Sequence, residues 1–436
     1  MDLASCEVKI HCHPIHFTGL IIGIYMSTQE FIEKLNQLNL SLAVYQERLT
    51  LKGHSHKLSP KEIKSILGRN NEVSQYIQEN RGQLLKHLTQ ESRAKAVLKE
   101  KRSDNISAVY PLSPLQQGML FHSIYNGNGS AAAYLNQFSC DFNDLNVAAF
   151  QKSWDYLLSG HSILRTAFFY EEFDLPLQAV FKRVQLPFEV HDLSRLSEQA
   201  QKHRLEAFLL HDRAKGFNFK EPPLMRISLF KLGAQKYRLV WTHHHILTDG
   251  WSTPIMMSKL IDCYKAILEN RPIPALVEDR YEDYIRYIES KDAKEQEAFW
   301  QNYLGKINGP SLLPFTKENV DRNKGGASIK KQELSFDQTF SECIETYAQQ
   351  NHLTINSIVQ GVWSYLLSRY TAQSDVVFGV TVSGRPPDLA NSSERVGLYI
   401  NTIPFCTQID LQQPISDWLN DLQQAHTRAR EFQYTA

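Results

Sequence analysis

The stretch RLVWTHHHILTDGWS, residues 238–252, runs from a β-prone apolar segment into three adjacent histidines and then reaches Asp249-Gly250. Along a strand, neighbouring side chains point to opposite faces, so adjacent histidines diverge rather than converge on one ion. A zinc site of the H-E-x-x-H kind needs two histidines a helical turn apart with a glutamate between them. That pattern is absent, and no metal site is expected. Two readings stay open on these residues alone. A neutral imidazole on a loop leaving the strand is a proton acceptor near neutral pH, with a nearby carboxylate fixing the loop. The same Asp-Gly pair also suits a simple polar turn.

Outward from this stretch, strand-like runs alternate with helical ones. LNQFSCDF, KYRLVWTHH, SDVVFGVTV and LYINTIPF read as strands, and VAAFQKSWDYLL, PIMMSKLIDCYKAIL, QTFSECIETYAQQ and TINSIVQGVWSYLLSRY as helices. The alternation predicts an α/β protein with mixed sheets. The chain has 436 residues, zero formal net charge and 42% hydrophobic content, which suits two or three globular domains. No dense basic stripe points to nucleic acid. The six cysteines lack C-x-x-C spacing and read as thiols in a reducing cytoplasm. FTGLIIGIYM (17–26) is too short to span a bilayer, so no membrane role is expected.

Residues 1–25 read as a leader without fixed structure; its Cys6, His11, Cys12, His13 and His16 are too crowded to close a tetrahedral site. From Met26 to Leu88 the pattern is a short helix, two strand-like runs (SLAVY and RLTL) around Gln46-Glu47, and two helices. The first of these two helices starts at Ser59-Pro60. This unit has nine basic residues against six acids, with Arg48, Lys52 and Lys57 about the hairpin. A basic strand edge can accept an extended acidic peptide as an added strand. Residues 89–107 are charge-rich and poor in large apolar side chains, which reads as a linker.

The unit over 26–88 resembles the N-terminal docking domains of multienzyme peptide and polyketide synthetases, of the tubulysin type. The resemblance implies that its hairpin receives the C-terminal tail of an upstream synthetase subunit.

His244, His245, Asp249 and Gly250 give the spacing H-H-x-x-x-D-G, which resembles the core motif of nonribosomal peptide synthetase condensation domains and the wider chloramphenicol acetyltransferase-like superfamily. Four further stretches match that family in order: YPLSPLQQGMLFHS (110–123), HSILRTAF (161–168), YEDY (281–284) and VGLYINT (396–402). SGHS (159–162) imitates a carrier-protein serine turn but runs directly into the second of these stretches.

The resemblance implies two acetyltransferase-like lobes in a V, over 108–275 and 276–436. The sequence stops soon after the fifth match, so the second lobe is expected to be incomplete. The implied reaction joins a donor acyl or peptidyl thioester to the amine of an acceptor aminoacyl thioester. Both are presented on phosphopantetheine arms of partner carrier proteins, with no cofactor bound by the chain itself. By carry-over His245 is the working histidine, His244 packs beside it, Asp249 pairs with Arg385 across the cleft, and Gly250 lets the loop approach the reacting centre. Two alternatives follow from the same resemblance: a catalytically inactive, truncated docking and carrier-recruiting module, or an epimerization-type homologue. The latter would carry E-G-H-G-R-E where SGRPPDL stands.

Overall fold

Lys236–His244 forms strand β9, buried without a break from Leu239 onward. Consecutive burial requires cover on both faces of a sheet, and the arrangement supplies it. The strand lies between β4 (Leu135–Asn143) and β8 (Met225–Lys231), antiparallel to both. β7 (Phe188–Asp192) completes the sheet parallel to β8, which makes it mixed. This computed structural model describes residues 40–45, 48–53, 103–125, 134–171, 175–275, 278–305, 311–315 and 332–435, together with single positions at 35, 76, 81, 307 and 309.

Alternation along β9 sorts its side chains between two layers. Trp241 turns to helix α2 (Val147–Gly160), its ring centroid 5.4 Å from that of Trp154, and His243 stacks on Trp241 at 4.1 Å. Helix α4 (Ser252–Leu268) closes this layer with Met256, Leu260, Cys263 and Ala266, a recurring helical face. On the opposite side Val240 packs with Leu193, Phe230 and Leu205 of helix α3 (Glu198–Lys215). There Thr242 donates to Asp212 Oδ2 at 2.6 Å, and Gln137 and Arg226 bond the same carboxylate. Arg226 also donates to the Gly216 carbonyl at 2.8 Å and lies over the Phe217 ring, so this buried charge pair is fully engaged.

A second sheet orders β3 (Ile106–Pro111), β6 (Leu177–Phe181) and β5 (Thr166–Phe169), all antiparallel. β3 begins inside the segment expected to be linker, after a 3-10 turn over Ser103–Asn105. The strand's starting point has a local cause. Asn105 caps the strand start by donating to the Arg183 carbonyl at 2.8 Å and accepting from the Arg183 amide at 2.9 Å, contacts that a polar composition does not reveal.

Farther along, β10 (Asp375–Val382) and β11 (Asn401–Gln408) pair antiparallel. Helix α9 (Ile415–Glu431) brings Ala429 onto Val382 and Ile403, with Phe299, Trp300 and Tyr303 of helix α6 (Ala293–Leu304) alongside. Helices α7 (Gln338–Gln350) and α8 (Ile355–Thr371) have the extents that their sequences suggest. α8 is inverted relative to a surface helix. It buries Ser357, Gln360, Gly361 and Ser364 and exposes Val359, Val362, Trp363 and Tyr370.

The main hydrophobic cluster crosses the expected lobe boundary at 275/276, since Tyr281, Tyr284, Ile285, Val396 and Tyr399 belong to the same cluster as Trp154 and Trp241. The strand pair read from SLAVY and RLTL is present as β1 (Leu40–Tyr45) against β2 (Arg48–Gly53), with Tyr45 opposite Arg48 and Ser41 opposite Lys52. The leader, Lys57 and the helices expected around the hairpin lie outside the described residues, apart from single helical positions at 35, 76 and 81. Among the described residues no helix is long and apolar enough to cross a membrane.

Candidate active site at the end of strand β9

The three histidines separate as strand geometry requires. His243 enters the core on the Trp241 side, where burial and the neighbouring imidazoles push it down to about 3. His244 lies on the opposite face, edge-on to Phe219 with ring centroids 4.9 Å apart. Its Nδ1 accepts the Ile246 amide at 3.1 Å, which fixes the proton on Nε2. Nε2 lies 3.4 Å from Ser123 Oγ, which itself donates to the Met119 carbonyl at 2.7 Å from helix α1 (Pro114–Tyr125). Burial, then the charge of His245, pushes His244 down to about 3, so it remains a neutral spacer.

His245 is the first residue past the strand, and its ring is only half-buried. Its amide donates to the Tyr134 carbonyl at 2.7 Å, and its carbonyl accepts from Thr248 at 3.3 Å. Nδ1 has no hydrogen-bond partner among the described residues, so no carboxylate orients this imidazole. That arrangement differs from an acid-His dyad and leaves the imidazole held by its backbone. Among the described residues no group of three or more His, Cys, Asp or Glu is placed to hold a metal.

Asp249 is buried, and both its oxygens are occupied. Oδ1 accepts from the Ser252 amide and hydroxyl, each at 2.9 Å, and from Arg385 Nη2 at 3.2 Å. Oδ2 accepts the Tyr399 amide at 3.1 Å, and the Asp249 amide donates to the Gly397 carbonyl at 3.1 Å. This carboxylate ties the histidine loop to segment 397–399. Arg385 extends the tie by donating to the carbonyls of Ser392 and Arg395 and lying 4.3 Å over the Tyr399 ring. Gly250 is exposed, and a Cβ built there would meet none of the described protein atoms within 4 Å.

Several supporting residues were not singled out by the sequence reading. Tyr281 and Tyr284 donate to the carbonyls of Leu398 and Tyr399 at 2.5 and 3.0 Å, and burial pushes both phenols up, so they remain protonated donors. Gly397 is required by this packing, because a Cβ would lie 2.5 Å from the Tyr281 ring. Gly384 has φ +57, and a Cβ would lie 1.8 Å from the Tyr399 carbonyl oxygen. Asp279 accepts from His161 Nδ1 at 3.1 Å, the Val396 amide at 2.7 Å and Arg395 at 3.5 Å. His161, Tyr281, Tyr284 and Gly397 fall inside the quoted motifs, whereas Asp279 and Arg395 do not.

Removing one member of a buried ion pair strands the other, at a cost of about 3 to 5 kcal/mol. Arg385→Met should therefore lower the urea midpoint by the equivalent of about 3 kcal/mol; unchanged unfolding would show that the tie is dispensable. A pH effect follows from the two depressed imidazoles. Below about pH 6.5 the unfolded chain binds protons that the folded chain refuses, so stability falls as pH drops toward 3, by up to about 1.4 kcal/mol per pH unit for each histidine. Urea titrations between pH 7.5 and 5.5 should show a shallower slope for His244→Gln than for the wild type, and equal slopes would contradict the buried neutral state.

The chain has recognisable relatives. The family model described as Condensation domain matches residues 106–436. Tyrocidine synthase 3 of Brevibacillus parabrevis is 34% identical over 323 residues, covering 74% of this chain and 5% of that protein. The chain thus spans a small part of the curated relatives it matches. The first condensation domain of the calcium-dependent antibiotic synthetase, solved with a substrate analogue, superposes with a TM-score of 0.58 at 20% identity, over 75% of this chain and 76% of that one. The cyclization-docking bidomain of EpoB from Sorangium cellulosum superposes with a TM-score of 0.60 at 17% identity, over 93% of this chain and 77% of that one. Over residues 106–436 the chain belongs to the Condensation domain family and is a condensation domain of the nonribosomal peptide synthetase type.

Proposed function

We propose that the chain catalyses amide formation between two carrier-bound thioesters. The amine of an acceptor aminoacyl thioester attacks the carbonyl carbon of a donor acyl or peptidyl thioester. A C–N bond forms and the C–S bond breaks. The donor arm leaves as a thiol with the proton given up by the amine, and the lengthened chain stays on the acceptor. The chain needs no cofactor of its own, because phosphopantetheine arms on donor and acceptor carrier proteins supply the reactive ends. Such carriers are charged in the cytoplasm, where we place the reaction.

The observation that carries this reading is the half-buried His245, without an orienting carboxylate, just past a strand that is buried without a break from Leu239 to His244. Such a ring suits accepting a hydrogen bond or a proton from an attacking amine, a contribution of about 100- to 10,000-fold. Positioning two thioester arms against it can supply about 7 to 11 kcal/mol more. His244 and Asp249 serve as spacer and brace, and Arg385 supports the brace. Gly250 leaves room beside the loop for a substrate arm. SGRPPDL standing in place of E-G-H-G-R-E favours amide formation over epimerization, and the intact H-H-x-x-x-D-G spacing favours turnover over a carrier-recruiting module.

His245→Ala should reduce amide product on the acceptor carrier by at least 100-fold, read by intact-protein mass spectrometry with a panel of aminoacyl-loaded carriers. Undiminished product would remove His245 from the reaction.

A docking role for the N-terminal unit is the second part of the proposal. It is supported by the antiparallel hairpin of β1 and β2, the excess of basic residues around it, and a likeness to EpoB that extends over 93% of the chain. Arg48, Lys52 and Lys57 would bind the acidic C-terminal tail of an upstream synthetase subunit laid along a strand edge. Reversing charge at Arg48 and Lys52 should weaken binding of a synthetic glutamate-rich peptide at least tenfold by fluorescence anisotropy. Affinity insensitive to both the reversal and salt would reject the docking role.

A further inference from the structure

Tyr134 is in an unusual conformation for its residue type. Its φ is +59, in the left-handed region where an aromatic residue pays a steric penalty. The other non-glycine residues with positive φ among those described are Asp144, Asn270, His352, Ala372 and Asn391. Aspartate, asparagine and histidine are the side chains that tolerate this region best, and Ala372 is the C-cap of α8. Tyr134 instead opens a strand, one residue before Leu135, which is registered opposite His244.

Strained backbone of this kind persists where surrounding contacts over-determine it, and it concentrates at functional sites. Here the determining contact is explicit. The Tyr134 carbonyl accepts the His245 amide at 2.7 Å, on the first residue past β9. The Tyr134 ring stands 6.4 Å from the His244 ring and is 38% exposed, although it borders a fully packed strand. One residue therefore holds the backbone of His245 and presents an exposed phenol toward the ring of the preceding His244.

We propose that Tyr134 is a positioning residue for His245: its left-handed backbone directs its carbonyl to the His245 amide, and its ring forms a wall of the approach to that imidazole. The function of the wall rests on the amide-forming reading above, whereas the backbone hold stands independently of it. Because the hold depends on φ and the wall on the ring, two substitutions separate them. Tyr134→Asn removes the ring but tolerates positive φ. Tyr134→Ile keeps apolar bulk, and its branched Cβ disfavours positive φ.

The test, on the full chain, is hydrogen–deuterium exchange resolved to the His245 amide, alongside product formation with the same panel of aminoacyl-loaded carriers. Exchange at His245 should be at least tenfold faster in Tyr134→Ile than in Tyr134→Asn, with Tyr134→Asn within threefold of the wild type. In turnover, Tyr134→Ile should lose at least tenfold in kcat, and Tyr134→Asn should raise KM more than it lowers kcat. Wild-type protection in Tyr134→Ile overturns the hold, as does equal loss of protection in both variants. Should Tyr134→Ile fail to fold, Tyr134→Asn still decides, because loss of His245 protection there would assign the hold to the ring. An unchanged KM in Tyr134→Asn overturns the wall. His245→Ala is run beside them. If it makes as much product as the wild type, the amide-forming reading fails, and the exchange result still judges Tyr134.

Discussion

The site depends on a single carboxylate. Asp249 gathers an amide and a hydroxyl from Ser252, a guanidinium from Arg385 and an amide from Tyr399, partners up to 150 residues away in sequence. Hydrogen bonds to an ionised acceptor are about twice as strong as neutral ones, and a buried charge is tolerable only when fully engaged. The loop that carries His245 is therefore fixed at one end by the ladder of β9 and at the other by this carboxylate. Between these points the imidazole needs no side-chain partner of its own.

The second constraint is electrical neutrality. Two of the three histidines are held far below their ordinary titration range by burial, and neither adds positive charge next to the third. A cationic neighbour would disfavour proton uptake at His245 and repel an ammonium group approaching it. Packing His243 on Trp241 and His244 on Phe219 thus gives the loop an uncharged floor built from side chains that in water would titrate near neutral pH.

Much of this was legible in the sequence, for identifiable reasons. The extents of β9 and α7 could be read residue for residue, because β9 has a continuous apolar interior and α7 an aspartate N-cap with a periodic face. The pairing of Asp249 with Arg385 came from family resemblance and not from spacing, since no local pattern links positions 136 apart. What escaped were groups whose role exists only in three dimensions. Asp279 looks like any acidic residue before an aromatic helix, yet it collects His161, Val396 and Arg395. Tyr134 escaped for a different reason: its significance lies in a backbone angle, and nothing in a tyrosine's side chain announces it. The hairpin of β1 and β2 was readable from two alternating runs around a polar pair, whereas the true start of β3 depended on what Asn105 contacts far along the chain.

The separation of the three histidines by β9 also bears on how such a site can vary. The side chains are chemically identical, so their distinct surroundings, core, spacer and loop, come wholly from register. Leu135 opposite His244 and Phe138 opposite Trp241 set that register. A slip of one residue would offer the loop another histidine of the same chemistry, but it would also turn Trp241 and Val240 onto the wrong layers. The triplet is thus redundant in composition and unique in address. Insertions or deletions within β9 should be far less tolerated than exchanges of its apolar residues that preserve volume.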